Sequence, residues 1–526
     1  MFARRMSKLI IWMVVIAFLS SMFIFYNVAS AQTSKPVLTI FTWMDPKAAP
    51  VLKNYREMAV YQTIMKKFKV DLQFIHPAMG SENEQFNIMI ASRQLPDIID
   101  WHWFAYPGGP QKAIMDNVII KLNPYMQYAP NLKKYFDTHP DVKKMATTDD
   151  GTIYMFPFIR EDKINCTFYG PIIRKDWLDK LKLSVPQTID EWYKMLVTFK
   201  KNAEKLNNKM PVYPFSADYW SANPRGVFDY CSFLVGAWGI KTDFYVDKNR
   251  VKFGPLQPEF KQFMAVLQKW WKEGLLDPDL LTMNRQAIQA KIMNDQIGAF
   301  LGLLGGSMGK FLQAKKGTDF DLVGAPYPTL KKGQIAALGQ RDFPVNGDGM
   351  AITPKCKNIQ LAIKILDWGY SKEGYLAYNF GVEGRSYVMK NGQPVYTESI
   401  LNHPKLSAME AIAQYGRVSW SGPFVQSKYY VNQMVAMLPQ QKDALKEWTK
   451  PDNSKLLPPI TFTPDEAAKI SNIMNTVNTY YNEMFVKLMT GKSNDMNGFV
   501  NTLKRMRIDE ALKIYQTAYE RFMKKK

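Results

Sequence analysis

The chain has 526 residues, and its 68 Lys+Arg outnumber its 47 Asp+Glu to give a formal charge of +21. With 47% hydrophobic and 22% charged residues its composition is ordinary for a globular protein, which excludes a largely disordered or fibrous chain. At ~100–200 residues per domain the length asks for two large lobes. Three cysteines cannot make a disulfide scaffold, and four histidines leave little for a multinuclear metal site.

The N-terminus reads as an export signal. Arg4, Arg5 and Lys8 precede an apolar run from Leu9 to Tyr26, broken only by Ser20 and Ser21. Ala29-Ser30-Ala31 then places small residues where a signal peptidase reads, so cleavage after Ala31 is expected. The alternative is an uncleaved anchor, because the run is long enough to span a bilayer core of ~30 Å. The paired arginines lack the flanks of a twin-arginine signal, and no cysteine follows the run to carry a lipid. No later stretch approaches the ~18 apolar residues of a membrane span, so a soluble secreted protein, in the periplasm or at the cell surface, is expected. The positive charge is dispersed and no groove-reading motif accompanies it, which argues against nucleic acid. Solubility near an anionic surface, or a basic cleft for an acidic ligand, explains it instead. Cys166, Cys231 and Cys356 are far apart with no C-x-x-C, so at least one stays free in a monomer, buried as a small apolar residue.

Along the mature chain the pattern alternates. "PVLTIFTWM" (36–44) is a β-rich run, a helix is expected from about Val51 to Lys67, and "VDLQFIHP" is a second strand. Ser81 with Glu84 makes a capping box for a helix through "EQFNIMIAS", and "LPDIIDW" is a third, buried strand. This order predicts a parallel α/β sheet with right-handed crossovers. Thr188 and Glu191 form a second capping box, with Trp192, Met195, Leu196, Phe199 and Ala203 on one helical face. Phe260, Phe263, Met264, Leu267, Trp270 and Trp271 repeat the pattern up to Gly274. "QIGAFL", "LVGAPYP" and "GDGMAIT" are strand-like, and a helix is expected from about Ile359 to Trp368. Thr463-Pro464-Asp465-Glu466 combines N-cap, N1 proline and N3 glutamate, and opens a long helix whose apolar stripe runs to Leu488. The α/β pattern resumes after residue 345, which suggests lobes joined by several crossing segments.

Enzymatic signatures are mostly missing: there is no H-E-x-x-H, G-x-S-x-G, Walker A loop or G-x-G-x-x-G. A glycosidase needs two carboxylates ~5–10 Å apart, and Asp97, Asp100, Asp342 and Glu383 are conceivable members that serve more ordinarily as caps, salt bridges or ligand hydrogen-bonders. His102, between Trp101 and Trp103, reads as a packed or hydrogen-bonding residue. The positive signal is aromatic. Trp43 follows the first strand, and Trp101 and Trp103 follow the third, where open parallel sheets bind ligands. Indole faces there suit the C–H faces of sugar rings, although core packing explains any single tryptophan equally well. "SADYWSANPRG" adds Asp218, Tyr219 and Trp220, and "GRVSWSGP" adds Arg417 and Trp420.

At "NIMIASRQLPDII" (88–99), "IIRKDWLDKLKLSVPQTIDEWY" (172–193) and "KEGLLDPD" (272–279) the chain resembles the extracellular solute-binding proteins of bacterial sugar-uptake ABC transporters. The likeness is to the long branch with the alginate-binding and LipO-type proteins. It continues through "KILDWGYSKEGYLAYNFGVEGRSYVMKNGQPVY" (364–396), "LLPPITFTPDEAAKI" (456–470) and "IYQTAYERF" (514–522). The resemblance implies a two-lobed α/β fold of the periplasmic-binding-protein type II kind, with interleaved lobes, a hinge and a ligand cleft. The expected layout is signal peptide 1–31, N-lobe 32–158 and 348–400, and C-lobe 159–347 and 401–526, the last part helical. It implies closure on a carbohydrate, delivery to permease subunits, binding without chemistry and no cofactor. Two departures matter. Relatives that are lipoproteins carry a cysteine where this chain has Ala31-Gln32. Long-branch members also often hold calcium in an acidic loop after the Pro-x-Thr helix, and "KKNAEKLNNKMP" (200–211) lacks the acidic pairs, so no metal is expected there.

The residues expected to touch ligand are Trp43, Trp101, Trp103, Asp218, Trp220, Trp238, Asp342, Glu383, Arg385 and Trp420. The leading function is therefore a monomeric oligosaccharide-binding subunit for uptake. A secreted polysaccharide-degrading enzyme using Asp342 or Glu383, and a sugar sensor, are the alternatives.

Overall fold

The structure is a computed structural model and describes residues 35–217, 225–418 and 421–525. Its first strands are β1 (Val37–Phe41), β2 (Asp71–Ile75) and β3 (Ile98–His102), followed by the two-residue β4 (Phe156–Pro157) and β5 (Ile159–Arg160). Next come β6 (Tyr169–Arg174), β7 (Tyr213–Ala217), β8 (Phe244–Asp247), β9 (Arg250–Phe253), β10 (Ile297–Leu303) and β11 (Leu322–Gly324). The last are β12 (Asp348–Ile352), β13 (Tyr387–Lys390), β14 (Gln393–Tyr396) and β15 (Val425–Gln426).

Two sheets carry the two lobes. The first has the order β2-β1-β3-β12-β4, with β1 parallel to β2 and β3, and β12 antiparallel to β3. Phe41 faces Ile75 across the β1–β2 ladder, so those two strands end level. The second sheet runs β11-β6-β10-β7, with β7 parallel to β10 and β6 antiparallel to it. Each sheet has its own apolar core. The first is built from residues of 38–159 and of 345–378, with Ala413, Phe424 and Val425. The second takes residues of 169–336, 380–412 and 418, and then 430–519. Phe380, Tyr387 and Tyr396 thus pack with the second core, although Ala377 and Tyr378 pack with the first.

Local chemistry explains most boundaries. Thr188 accepts from the Glu191 N–H while the Glu191 carboxylate takes the Thr188 N–H, so the helix Ile189–Lys201 starts where the sequence predicts. The same reciprocal cap at Thr463 and Glu466 opens Pro464–Met489, whose Ala467, Ile470, Met474, Val477, Tyr481, Phe485 and Leu488 are buried. The predicted box at Ser81 does not form. The Ser81 hydroxyl donates back to the Ala78 carbonyl at 2.9 Å, and the Glu82 carboxylate takes the Gly80 N–H, so the helix Glu82–Ser92 begins without it. The helix predicted from Val51 is delayed to Ala59–Phe68. Asn54 caps a 3-10 turn at Tyr55–Glu57 instead, and the Tyr55 N–H is drawn to His76 Nε2 at 3.2 Å. At Gly170 a Cβ would lie 2.5 Å from the indole of the fully buried Trp448, so the helix Pro439–Trp448 can seat on the second sheet only over glycine. All three cysteines are free and buried. Among the described residues no helix is long and apolar enough to cross a membrane.

The C-terminal helices span both lobes. Pro464–Met489 and Ile508–Lys524 are packed into the second core, yet Arg521 Nε donates to Asp149 Oδ2 at 2.7 Å, and Asp149 Oδ1 accepts from Thr461 Oγ1 at 2.7 Å. Glu466 holds the other side of the same guanidinium at 2.7 Å. Replacing the Thr463 cap by alanine should lower the unfolding free energy by about 1 kcal/mol, read as a lower urea midpoint with unchanged slope.

Candidate ligand cleft between the lobes

The cleft is set by where strands end and where the chain crosses. The C-terminal ends of β1, β2 and β3 deliver Thr42–Asp45, His76 and His102–Phe104, and β12 starts beside them at Asp348. Crossing segments make the floor. β5 pairs in parallel with β15, Ile159 N–H donating to Phe424 O at 3.1 Å, and Arg160 N–H reaches Pro344 O at 2.9 Å. Asn165 Nδ2 donates to Ser427 O at 2.9 Å, and the Cys166 carbonyl accepts from Asp342 N–H at 2.9 Å and Gln340 Nε2 at 3.1 Å. Val418, a β-branched residue at φ 61°, is held in this left-handed conformation by its N–H on Tyr378 O and its carbonyl on Gln426 Nε2.

The floor is polar, and Arg160 and Arg417 in it are paired with carboxylates. Arg160 Nη2 lies 3.2 Å from Asp342 Oδ2, and Asp342 Oδ1 also receives Gln340 Nε2 at 3.2 Å and the Tyr230 hydroxyl at 3.4 Å. Tyr230 belongs to the second lobe, so this cluster ties the crossing segments to it. Burial pushes the Asp342 carboxyl up from its ordinary range, opposed by Arg160 and these donors. Deeper in the first lobe, Arg417 Nη2 is 3.3 Å from Asp100 Oδ2, with both side chains about 1% exposed. Thr42 Oγ1 donates to the same carboxylate at 2.9 Å, Ser421 donates to its other oxygen, and Arg417 Nη1 meets the Tyr61 hydroxyl at 3.1 Å. His102 Nδ1 stands 3.0 Å from Asp348 Oδ1. Three buried polar atoms here have no partner in the described structure: Arg160 Nη1, Asn165 Oδ1 and Arg417 Nε.

The predicted aromatics separate into two groups. Trp101 is 4% exposed and lies flat on Phe86, with centroids 3.9 Å apart and planes at 2°. Trp103 is fully buried, and its indole N–H donates to Gly349 O at 3.1 Å. Gly347, at φ 96°, lets the Phe104 ring pack over it, because a Cβ there would stand 2.7 Å from that ring. Both tryptophans are therefore core residues: apolar burial and ring stacking use the faces assigned to sugar. Trp43 differs. It is half-buried at the end of β1, tilted at 56° against Trp101 with centroids 5.1 Å apart, and closes a Phe86–Trp101–Trp43 series outward.

Other predicted residues lie elsewhere. Trp238 is half-buried in the body of the second lobe, bonded through Nε1 to Gln262 at 2.9 Å and packed on Phe263. Glu383 and Arg385 are exposed on the turn between the helix Lys372–Phe380 and the β13–β14 hairpin, where Gly381 and Gly384 supply positive φ. Asp218, Trp220 and Trp420 fall outside the described residues. Sequence reasoning passed over Arg160, Asn165, Tyr230 and Asp348. Arg160 alone left a trace, as a cation ending the apolar run "YMFPFIR".

Two separate α/β cores, repeated crossings and a polar floor with one aromatic wall define a two-lobed binding protein. The sequence model of the family described as bacterial extracellular solute-binding protein matches residues 52–375, and the chain belongs to that family. It is 25% identical over 495 residues to the fructooligosaccharide ABC transporter substrate-binding protein FusA of Streptococcus pneumoniae serotype 4 (strain ATCC BAA-334 / TIGR4), covering 90% of this chain and 89% of that protein. It is 27% identical over 443 residues to the lipoprotein LipO of Bacillus subtilis (strain 168), covering 80% of each. Among solved structures, the alginate-binding protein AlgQ2 without calcium ion superposes with a TM-score of 0.73 at 28% identity, over 92% of this chain and 98% of that one.

The calcium that such relatives imply does not fit the corresponding loop here. The depression at 204–210 is lined by Lys180, Lys205, Lys209 and Lys315, with Glu204 and Asp295 as its carboxylates. Asp295 is already held by Arg174 at 2.7 Å and Lys315 at 3.2 Å, and the Lys180 ammonium donates to the Lys205 carbonyl. A hard cation needs ~6–8 oxygens with carboxylates among them. Chelator and added calcium should accordingly leave the melting curve unmoved. Trp103→Ala should cost about 3–5 kcal/mol of stability, because it empties a core position. A Trp103 variant of normal stability but without glycan binding would contradict that core role.

Proposed function

We propose that this protein is the extracytoplasmic binding subunit of a carbohydrate ABC transporter, which captures an oligosaccharide between its lobes and hands it intact to a membrane permease. The observation that carries the reading is Trp43, half-buried at a strand end beside a floor that retains unpaired buried donors and an acceptor. An indole wall accepts the C–H face of a sugar ring, and fixed polar groups replace water at its hydroxyls. Family membership and the roles for which FusA and AlgQ2 are named support it, though one is named for a fructooligosaccharide and the other for alginate. The two cores are the bodies that approach each other, and the short crossing strands are where the backbone bends. Export by a cleaved signal, action as a monomer and binding without chemistry complete the reading. Asp342 is engaged by Arg160, Gln340 and Tyr230, and Glu383 sits on an exposed turn, which favours binding over a carboxylate-pair hydrolase.

Tryptophan fluorescence titration with oligosaccharides should give a saturable response, accompanied by a smaller radius of gyration in solution scattering. Trp43→Ala should weaken binding about tenfold, near 1.4 kcal/mol, in a variant that still melts cooperatively. Turnover of any glycan by pure protein, or no saturable response to any, would defeat the proposal.

A further inference from the structure

Resting on the proposed function, in which Trp43 is the ligand wall, we infer that His76 is the positioning residue of that wall and holds it only as a neutral imidazole. β2 delivers the half-buried His76 beside the end of β1, where the Thr42 N–H on Ile75 O at 3.1 Å carries the ladder one residue past Phe41. His76 Nδ1 lies 2.8 Å from the Thr42 carbonyl, which belongs to the peptide leading into Trp43. Its Nε2 accepts the Tyr55 N–H at 3.2 Å, and the Tyr55 hydroxyl accepts the Asp45 N–H at 2.8 Å. One ring thus braces both ends of the Trp43–Met44 segment, directly at its start and through Tyr55 at its end. Tyr55 stands edge-on to the imidazole with centroids 4.8 Å apart, and Phe74 lies parallel to it at 6.0 Å.

The partners fix the tautomer. A carbonyl only accepts and a backbone N–H only donates, so Nδ1 carries the proton and Nε2 is bare. A second proton, on Nε2, would point at the Tyr55 N–H, replace a hydrogen bond by two opposed donors, and release Tyr55 and with it Asp45. The carboxylates of the neighbourhood are engaged elsewhere, Asp45 by Lys47 at 3.6 Å and Asp100 by Arg417 at 3.3 Å and Thr42 Oγ1 at 2.9 Å. Arg417, over the Tyr55 ring at 4.5 Å, adds positive charge, and Tyr55 and Tyr61 are phenols whose pKa burial pushes up. Burial lowers the His76 pKa from its ordinary value; the Thr42 carbonyl opposes this and Arg417 reinforces it. Because the wall needs the neutral ring, affinity is full above that pKa and falls as pH drops through it.

The test follows the full mature chain, labelled with fluorotryptophan, by fluorine NMR, the Trp43 signal being assigned by its loss in Trp43→Phe. Binding is titrated in parallel with fructo-, malto- and galacto-oligosaccharides and with oligouronates. His76→Ala should displace the Trp43 signal at neutral pH and weaken binding about tenfold. His76→Gln should recover most of both, since its amide offers a donor and an acceptor in the same spacing and takes no proton in this range. Acidifying the wild type should move the Trp43 signal and cost up to about tenfold in affinity per pH unit, the limit for one linked proton, while His76→Gln stays flat. His102, beside Asp348 at 3.0 Å, remains in that variant, so the flattening belongs to His76. A Trp43 signal unchanged in folded His76→Ala, or an acid shift that persists in His76→Gln, would overturn the inference. So would affinity that ignores both acid and the alanine while the Trp43 signal moves. Binding to none of the probes, with the Trp43 signal behaving as stated, would bring down the proposed function and leave His76 as the brace of Trp43. Should His76→Ala fail to fold, the wild-type pH series against His76→Gln decides alone.

Discussion

The constraint on which the molecule depends is that its backbone must cross between two lobes repeatedly without a sheet to carry it. Buried N–H and C=O groups in those crossings need partners, and no large ladder is available. The solution is piecemeal: the two-residue pairing of β5 with β15, the Arg160 N–H on Pro344 and the side-chain amides of Asn165, Gln340 and Asn379 on neighbouring backbone. So short a ladder satisfies the backbone there with only a two-residue pairing.

The same economy explains the floor. Charged groups brought to a crossing region cannot stay unmatched away from water, so Arg160 meets Asp342 and Arg417 meets Asp100. Once matched, these groups keep oriented hydrogen-bonding capacity but present little net charge.

The C-terminal helices contribute a second connection between lobes. Arg521 joins Asp149 of the first lobe to Glu466 in the first turn of Pro464–Met489. Its guanidinium offers a planar set of donors that a lysine could not match at both carboxylates. At the loop 204–210 a related substitution is visible, where the Lys180 ammonium and the side chain of Asn207 brace the backbone with the protein's own groups.

The sequence by itself determined the elements whose causes are local. Reciprocal caps at Thr188 and Thr463 and the apolar stripes behind them needed only neighbours three or four residues away, and the parallel order of the first three strands followed from alternation. Family resemblance supplied the two-lobed architecture. Local signals misled where a distant group won: Ser81 turned back to Ala78, and Tyr55 N–H went to His76 rather than into a helix. For the cleft, the sequence marked aromatics at strand ends but could not separate Trp43 from Trp101 and Trp103, because exposure is a property of packing. The pairs Arg160–Asp342 and Arg417–Asp100 lie 182 and 317 positions apart in the chain, so only the tertiary structure could decide which carboxylate each arginine meets.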